Sequence, residues 1–134
     1  MGDRALIILH DKDTISPSVY LHWHGGAVPE ILHELAEYMQ GRYGDAQYAA
    51  ARFTGICHRR ISGNLSLGIV SNSLCHDDLH DASVLEAMSH GNAGVVVVDT
   101  GDFTWKAYGG YLAGRPSARP TPALTLVKPT NPND

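Results

Sequence analysis

The sequence predicts an α+β fold: a mainly antiparallel sheet of about five strands with two main helices on one face, in the order ββααβ(α)ββ. Three observations carry this. RALIIL (4–9) and AGVVVVDT (93–100) are short apolar runs rich in branched residues and without helical periodicity, as buried strands are. VYLHWH (19–24), NLSLGIV (64–70) and FTWKAY (103–108) alternate with a period of two. Between the first strands and the later ones lie two segments whose apolar residues recur at helical spacing.

The elements follow in order. RALIIL is the first strand, and the polar, proline-containing HDKDTISPS (10–18) is a hairpin loop. VYLHWH returns, with Val19, Leu21 and Trp23 expected on the core face and Tyr20, His22 and His24 on the other. Gly25-Gly26 breaks this strand. Pro29 suits the first turn of a helix, where its missing N–H costs nothing. Ile31, Leu32, Leu35, Tyr38 and Met39 give that helix its apolar face, and Glu30, Glu34 and Glu37 line the opposite one.

Asp45 is placed to cap a second helix, on which Ala46, Ala49, Ala50, Phe53, Ile56 and Cys57 form a small-residue face. Arg59 and Arg60 sit where the helix dipole favours cations, and Gly63 is expected to end the helix. Leu65, Leu67 and Ile69 should point inward from the third strand. The cap-rich SNSLCHDDLHDAS (71–83) leads to a short helix with Val84, Leu85 and Met88. AGVVVVDT, apolar on both faces, belongs in the centre of the sheet, and DTGD (99–102) turns the chain into the last strand with Phe103, Trp105 and Ala107 on one face. Trp23 and Trp105 are the expected core anchors. Residues 114–134 hold five of the seven prolines, so the expected organisation is a single α+β domain over 1–113 followed by a mobile tail.

Composition narrows function more by exclusion than by assignment. The net charge of −4 argues against direct nucleic-acid binding, which needs clustered Lys and Arg to displace counterions. Two cysteines, Cys57 and Cys75, do not make a disulfide scaffold, and their spacing leaves pairing open. The N-terminal apolar run is far too short for a signal sequence or a membrane span, so a cytoplasmic protein with no membrane partner is expected.

Two histidine-containing segments carry candidate chemistry. His22 and His24, two apart on a strand, would point the same way, as two metal ligands could. They would equally make, with Tyr20, a row of rings on an open sheet face that suits recognition of a protein. In CHDDLHD (75–81), Cys75, His76 and His80 have ligand chemistry, yet the spacing matches neither His-Glu-x-x-His nor paired Cys-x-x-Cys. Asp77, Asp78 and Asp81 read as helix-capping residues that also supply negative charge. Cys57 and His58, adjacent on a helix, diverge by about 100° and cannot form a dyad with each other. Asp99 and Asp102 could be a carboxylate pair, but turn geometry explains both.

MGDRALI (1–7), YLHWHGG (20–26), YAAAR (48–52), GNLSLGI (63–69) and a closing hairpin with a tryptophan together resemble a group of small phage and prophage proteins that begin Gly-Asn-Arg-Ala and carry Tyr-Leu-His-Trp-Asn-Gly-Gly. The likeness covers residues 1–108. The chain departs from it at Asp3 and at His24, each of which stands where that pattern has Asn. The resemblance implies a genomic setting and, by class analogy, a non-enzymatic protein that binds a host factor, such as an anti-CRISPR-like inhibitor of a defence system.

The leading expectation is therefore a binding protein that occupies a host protein's surface through Tyr20, His22, His24, Asp77, Asp78 and Asp81, with no cofactor and no metal. One alternative is a small metal-dependent hydrolase built from His22, His24, Cys75, His76 and His80. Another is a binder that sequesters a nucleotide signal, as a homo-oligomer.

Overall fold

A computed structural model describes residues 2–61 and 67–115. The fold is α+β around one five-stranded mixed sheet. β1 (Ala5–His10) and β2 (Ser18–Leu21) form the expected hairpin, with Leu6 opposite Tyr20 and Ile7 opposite Val19. α1 (Val28–Tyr38) and α2 (Ala46–Arg60) follow, then β3 (Leu67–Val70), α3 (Ala82–Met88), β4 (Gly94–Asp99) and β5 (Thr104–Tyr108). The strand order is β3-β2-β1-β4-β5. Short 3-10 segments at Gly25–Ala27, His76–His80 and Tyr111–Gly114 add to the elements read from sequence.

Three of the four strand pairings are antiparallel, as expected, but the sheet is mixed because β1 and β4 pair in parallel, from Ala5–Gly94 to His10–Asp99. Both are apolar at almost every position and buried on both faces, as parallel strands with cover on each side are. The cover is accordingly two-sided: the two main helices share one face, as expected, and α3 with a 3-10 segment adds cover on the other. On the first face, Ile7, Leu9, Val19, Val96 and Trp105 pack beneath Ile31 and Leu35 of α1 and Phe53 of α2. On the second, Leu6, Ile8, Val95, Val97 and Tyr108 meet Leu79 of the 3-10 segment and Leu85 of α3.

Local chemistry fixes the helices. α1 starts with Pro29 in its first turn and buries Val28, Ile31, Leu32, Leu35 and Ala36, while Glu30 and Glu37 face water. The Asp45 side chain accepts the Tyr48 N–H at 3.1 Å and caps α2. At the other end of α2, Arg59 and Arg60 reach back to Glu34 of α1, the Arg60 Nε bond measuring 2.9 Å. Cys57 lies in the core, where burial pushes its thiol up to about 12. Cys75 is exposed, and neither cysteine is paired.

Three further expectations change. The strand read as 19–24 ends at Leu21. His22 still accepts the Asp3 N–H at 2.8 Å, but His24 takes a left-handed backbone, φ 67°, and swings the chain into the 3-10 turn before α1. Trp23 is thus not on a strand face at all. It is 46 % exposed, whereas Trp105 is 6 % exposed in the core. Ile69 lies on the inward face opposite Val19 but is 57 % exposed, because β3 is the sheet edge and lies past the cover of the helices. Phe103 precedes β5, with φ 58°, and is buried against Tyr43. Leu65, Gly63 and the proline-rich stretch from 116 onward lie outside the described residues. Gly114 closes the last 3-10 segment.

Candidate functional site

The chemistry-bearing residues collect at the two ends of β1. At its start, the segments GDRALI (2–7) and YLHWHGG meet. The Asp3 carbonyl accepts the Gly25 N–H at 2.8 Å, and its carboxylate accepts the Gly26 N–H at 3.0 Å and the Tyr111 hydroxyl at 2.6 Å. A Cβ at residue 25 would lie 2.6 Å from the Asp3 carbonyl and 2.8 Å from the Ala93 methyl, so the close approach requires glycine. The Asn92 side chain accepts the Arg4 N–H at 3.2 Å, and its carbonyl accepts the Tyr111 N–H at 2.7 Å.

This clasp holds Trp23 and His24 outward on a fixed backbone. Tyr111 is half-exposed at its ring while its hydroxyl is turned to Asp3. Burial of that hydroxyl, its hydrogen bond to Asp3 and the charge of the carboxylate push Tyr111 up to about 12.

On the second face of the same end stand Tyr20, His22 and His90. Tyr20 OH and His22 Nδ1 share a 3.0 Å hydrogen bond, and the Tyr20 ring meets His90 edge-on at 5.3 Å and His22 at 6.3 Å. The row expected on an open face is therefore only partly open. Tyr20 is half-buried against the second core cluster, and His24 has left the row. Arg4, one position beyond the Ala5–Leu21 pair, lies opposite His22 on this face. Its Nε is buried and has no hydrogen-bond partner, the only such side-chain nitrogen or oxygen among the described residues. An orphaned buried donor costs about 1–3 kcal/mol.

The end of β1 carries the second set. His10 pairs in register with Asp99, the last residue of β4. The His10 ring meets His76 edge-on at 6.0 Å. Burial holds His10 below the usual imidazole range, and nearby His76 and His80 act in the same direction, against the opposing pull of Asp99. His76 donates from Nε2 to the Asp11 carbonyl at 2.8 Å, which fixes that nitrogen as the protonated one. Beside His10, a groove of about 210 Å³ runs between the 3-10 segment and β5, over Val97 and Tyr108, with His80, Asp99 and Lys106 on its margins. It opens at the carboxyl ends of the parallel pair, where open α/β sheets bind ligands, but is smaller than the ~300–1,000 Å³ of pockets for drug-sized molecules.

The aspartates of 75–81 are largely engaged in local structure. Asp78 accepts the Cys75 N–H at 2.9 Å, closing the 3-10 segment. Asp81 accepts from Ser83 N at 3.0 Å and Val84 N at 3.4 Å, capping α3. Asp77 is exposed and closes no cap. Asp99 and Asp102 each close turn bonds, to Gly101 N at 2.8 Å and Thr104 N at 3.0 Å.

The set His22, His24, Cys75, His76 and His80 is divided between the two ends. His22 is bonded at Asp3 and His76 at Asp11, separated along the strand by roughly 25 Å at the rise of an extended chain. Among the described residues, no three His, Cys, Asp or Glu side chains are placed to hold a metal ion together, and no helix is long and apolar enough to cross a membrane.

Sequence reasoning missed Arg4, Asn92, His90, Tyr111 and His10. Only Arg4 carried a signal, as part of the Gly-Asp-Arg-Ala start. No protein-family model, curated protein or solved structure matches the chain.

Proposed function

We propose that this chain is a non-enzymatic binding protein that acts by occupying the surface of a protein partner through the end of the sheet where β1 begins. The observation that carries the reading is Trp23, 46 % exposed between two histidines on a backbone locked by Asp3, Gly25 and Gly26. Aromatic residues dominate the binding energy of protein interfaces, and a pre-ordered one loses little entropy on docking. Tyr111, 52 % exposed and bonded to the same Asp3, widens the patch. Of the residues expected to recognise the partner, His22 and His24 stay with this patch. Tyr20 supports it from the half-buried side, and Asp77 lies at the far end of the sheet. The likeness to small phage proteins gives the partner's class in this proposal: a host protein, such as a component of antiviral defence.

The test is capture from a host lysate by the wild type and by Trp23→Ala, with melting curves of both. The proposal expects a specific protein retained by the first and lost by the second at equal stability. Equal retention by both would remove the patch from the interface and overturn this reading.

A further inference from the structure

Among the described residues, Arg4 is a cation without an anion. Its Nε is buried and unpartnered, and no ion pair involves its guanidinium among the described residues. The arginines of α2 and of the turn before it are answered: Arg42 by Asp45, Arg52 by the Tyr38 carbonyl, Arg59 and Arg60 by Glu34. The neighbouring Asp3 forms no ion pair with it, its carboxylate accepting instead from Tyr111 and Gly26. The side chains that share the face with Arg4 are His22, directly opposite, and Tyr20, which contacts both His22 and His90. None of these is a carboxylate. The end of the sheet thus offers a guanidinium on the face that also carries the Tyr20, His22 and His90 rings, with no ion-pair partner among the described residues, in a chain whose net charge is −4.

We propose that Arg4, with His22 and His90 beside it, binds an oxyanion, the carboxylate or phosphate of an acidic residue that the protein partner presents next to Trp23. The guanidinium is suited to this by its planar fork, which meets both kinds of oxyanion with two parallel hydrogen bonds. Nε is one of the donors such a fork uses, and it is the donor left empty here. Partial burial excludes competing water, so the paired state gains more than a surface pair would. The inference rests on the binding reading for the identity of the partner. It does not rest on it for the anion site itself, which belongs to this chain alone.

The experiment uses the full chain labelled with ¹⁵N and follows the arginine Nε–H resonances by NMR. Inorganic phosphate, acetate and chloride are added in separate titrations at matched ionic strength. The expected result is a downfield, saturable shift of the Arg4 resonance with phosphate or with acetate and not with chloride, while Arg52 and Arg60 stay in place. Whichever of the two anions saturates at lower concentration names the partner's group. The same anion should raise the melting temperature of the wild type and leave that of Arg4→Gln unmoved.

A weak drift shared by all arginines and equal with chloride would overturn the proposal. So would an Arg4 resonance that is already downfield and slow to exchange in anion-free buffer, since the chain would then supply its own acceptor. Neither readout involves the captured partner or Trp23, so failure of the docking patch and failure of the anion site are separately visible.

Discussion

The two faces of the sheet are fed by the same strands and closed to different degrees. Alternate residues of β1 and β4 point to each face, Ile7 and Val96 to one, Leu6 and Val95 to the other. The first face is roofed by α1 and α2, of 11 and 15 residues, and the second by α3 and a 3-10 segment, of seven and five. The shorter roof cannot reach the ends of the strands. There the second face keeps half-buried polar side chains, His10 at one end and Arg4, Tyr20 and His22 at the other. Candidate chemistry thus lies where apolar cover runs out, and the complete core on the other side bears the stability that lets the Arg4 Nε remain unpartnered.

The largest expected effect tests that asymmetry directly. Phe53 is fully buried between helix and sheet on the first face, and Phe53→Ala should cost about 3–5 kcal/mol through lost burial and a cavity that cannot collapse. Leu79, 2 % exposed on the underside of the thin roof's own 3-10 segment, should cost about 2 kcal/mol as Leu79→Ala, at the low end for such a change, because that short segment can settle into the space. Urea midpoints at unchanged slope measure both. Equal costs would mean that the second face is closed as tightly as the first.

A smaller effect concerns Asp11, which ties the two layers together. One carboxylate oxygen accepts the Asp13 and Thr14 N–H groups at 2.8 Å each, and the other accepts the Ala46 N–H, the first of α2, at 2.9 Å. Asp11→Ala should cost about 1–2 kcal/mol, in the manner of a lost helix cap. Burial alone would push this carboxyl up, but the hydrogen bonds from Ala46, Asp13 and Thr14 outweigh it and hold the group below its usual range. A depressed carboxyl stabilises the fold above its unfolded value near 3.8 and loses that contribution as pH falls through the folded one. Asp11→Ala should therefore flatten the acid limb of the stability curve; an unchanged limb would show that these bonds carry no net stability.

His10 offers a milder, oppositely placed test. Its imidazole is lowered from 6.5 chiefly by burial, so the folded state disfavours the charged form. Stability linked to His10 is fully present above 6.5 and declines as pH falls from there through the folded value, because the unfolded chain binds the proton first. Comparing urea midpoints of wild type and His10→Gln on either side of this window should show the wild type losing more on acidification. A parallel response would place His10 in open water and end the case for a half-covered second face.

Much of the fold was legible because local signals and tertiary placement agree. Asp45 caps α2, Pro29 opens α1, and the spacing of Ile31, Leu32 and Leu35 names the buried side. The parallel pairing was not legible, since Ala5 and Gly94 lie far apart in the sequence and no local pattern encodes a partner that distant. Yet the lack of alternation in RALIIL and AGVVVV was itself a signal of cover on both faces. The site failed for a different reason. Alternation in VYLHWH is real in sequence, but after Leu21 it no longer refers to a sheet, because the left-handed turn at His24 redirects the chain. Asn92 and Tyr111 reach the site through backbone and hydroxyl bonds, which leave no periodic trace.

The smallest expected stability effect is the most discriminating. If the alternation held through Trp23, this tryptophan would be a core anchor and Trp23→Ala would cost about 3–5 kcal/mol, as Trp105→Ala should. At 46 % exposure against 6 % for Trp105, it should instead stay within about 0.5 kcal/mol of the wild type. Fluorescence separates the two residues: Trp23→Phe should leave a blue-shifted emission from Trp105 that acrylamide barely quenches, and Trp105→Phe should leave a red-shifted emission that it quenches readily. A role in docking adds a requirement that exposure alone does not. Trp23→Ala should weaken partner binding by about thirtyfold or more, the scale of a loss of 2 kcal/mol at an interface anchor. A variant that is stable and binds undiminished would make Trp23 an ordinary exposed side chain. A variant that unfolds would return it to the core and restore the strand through residue 24.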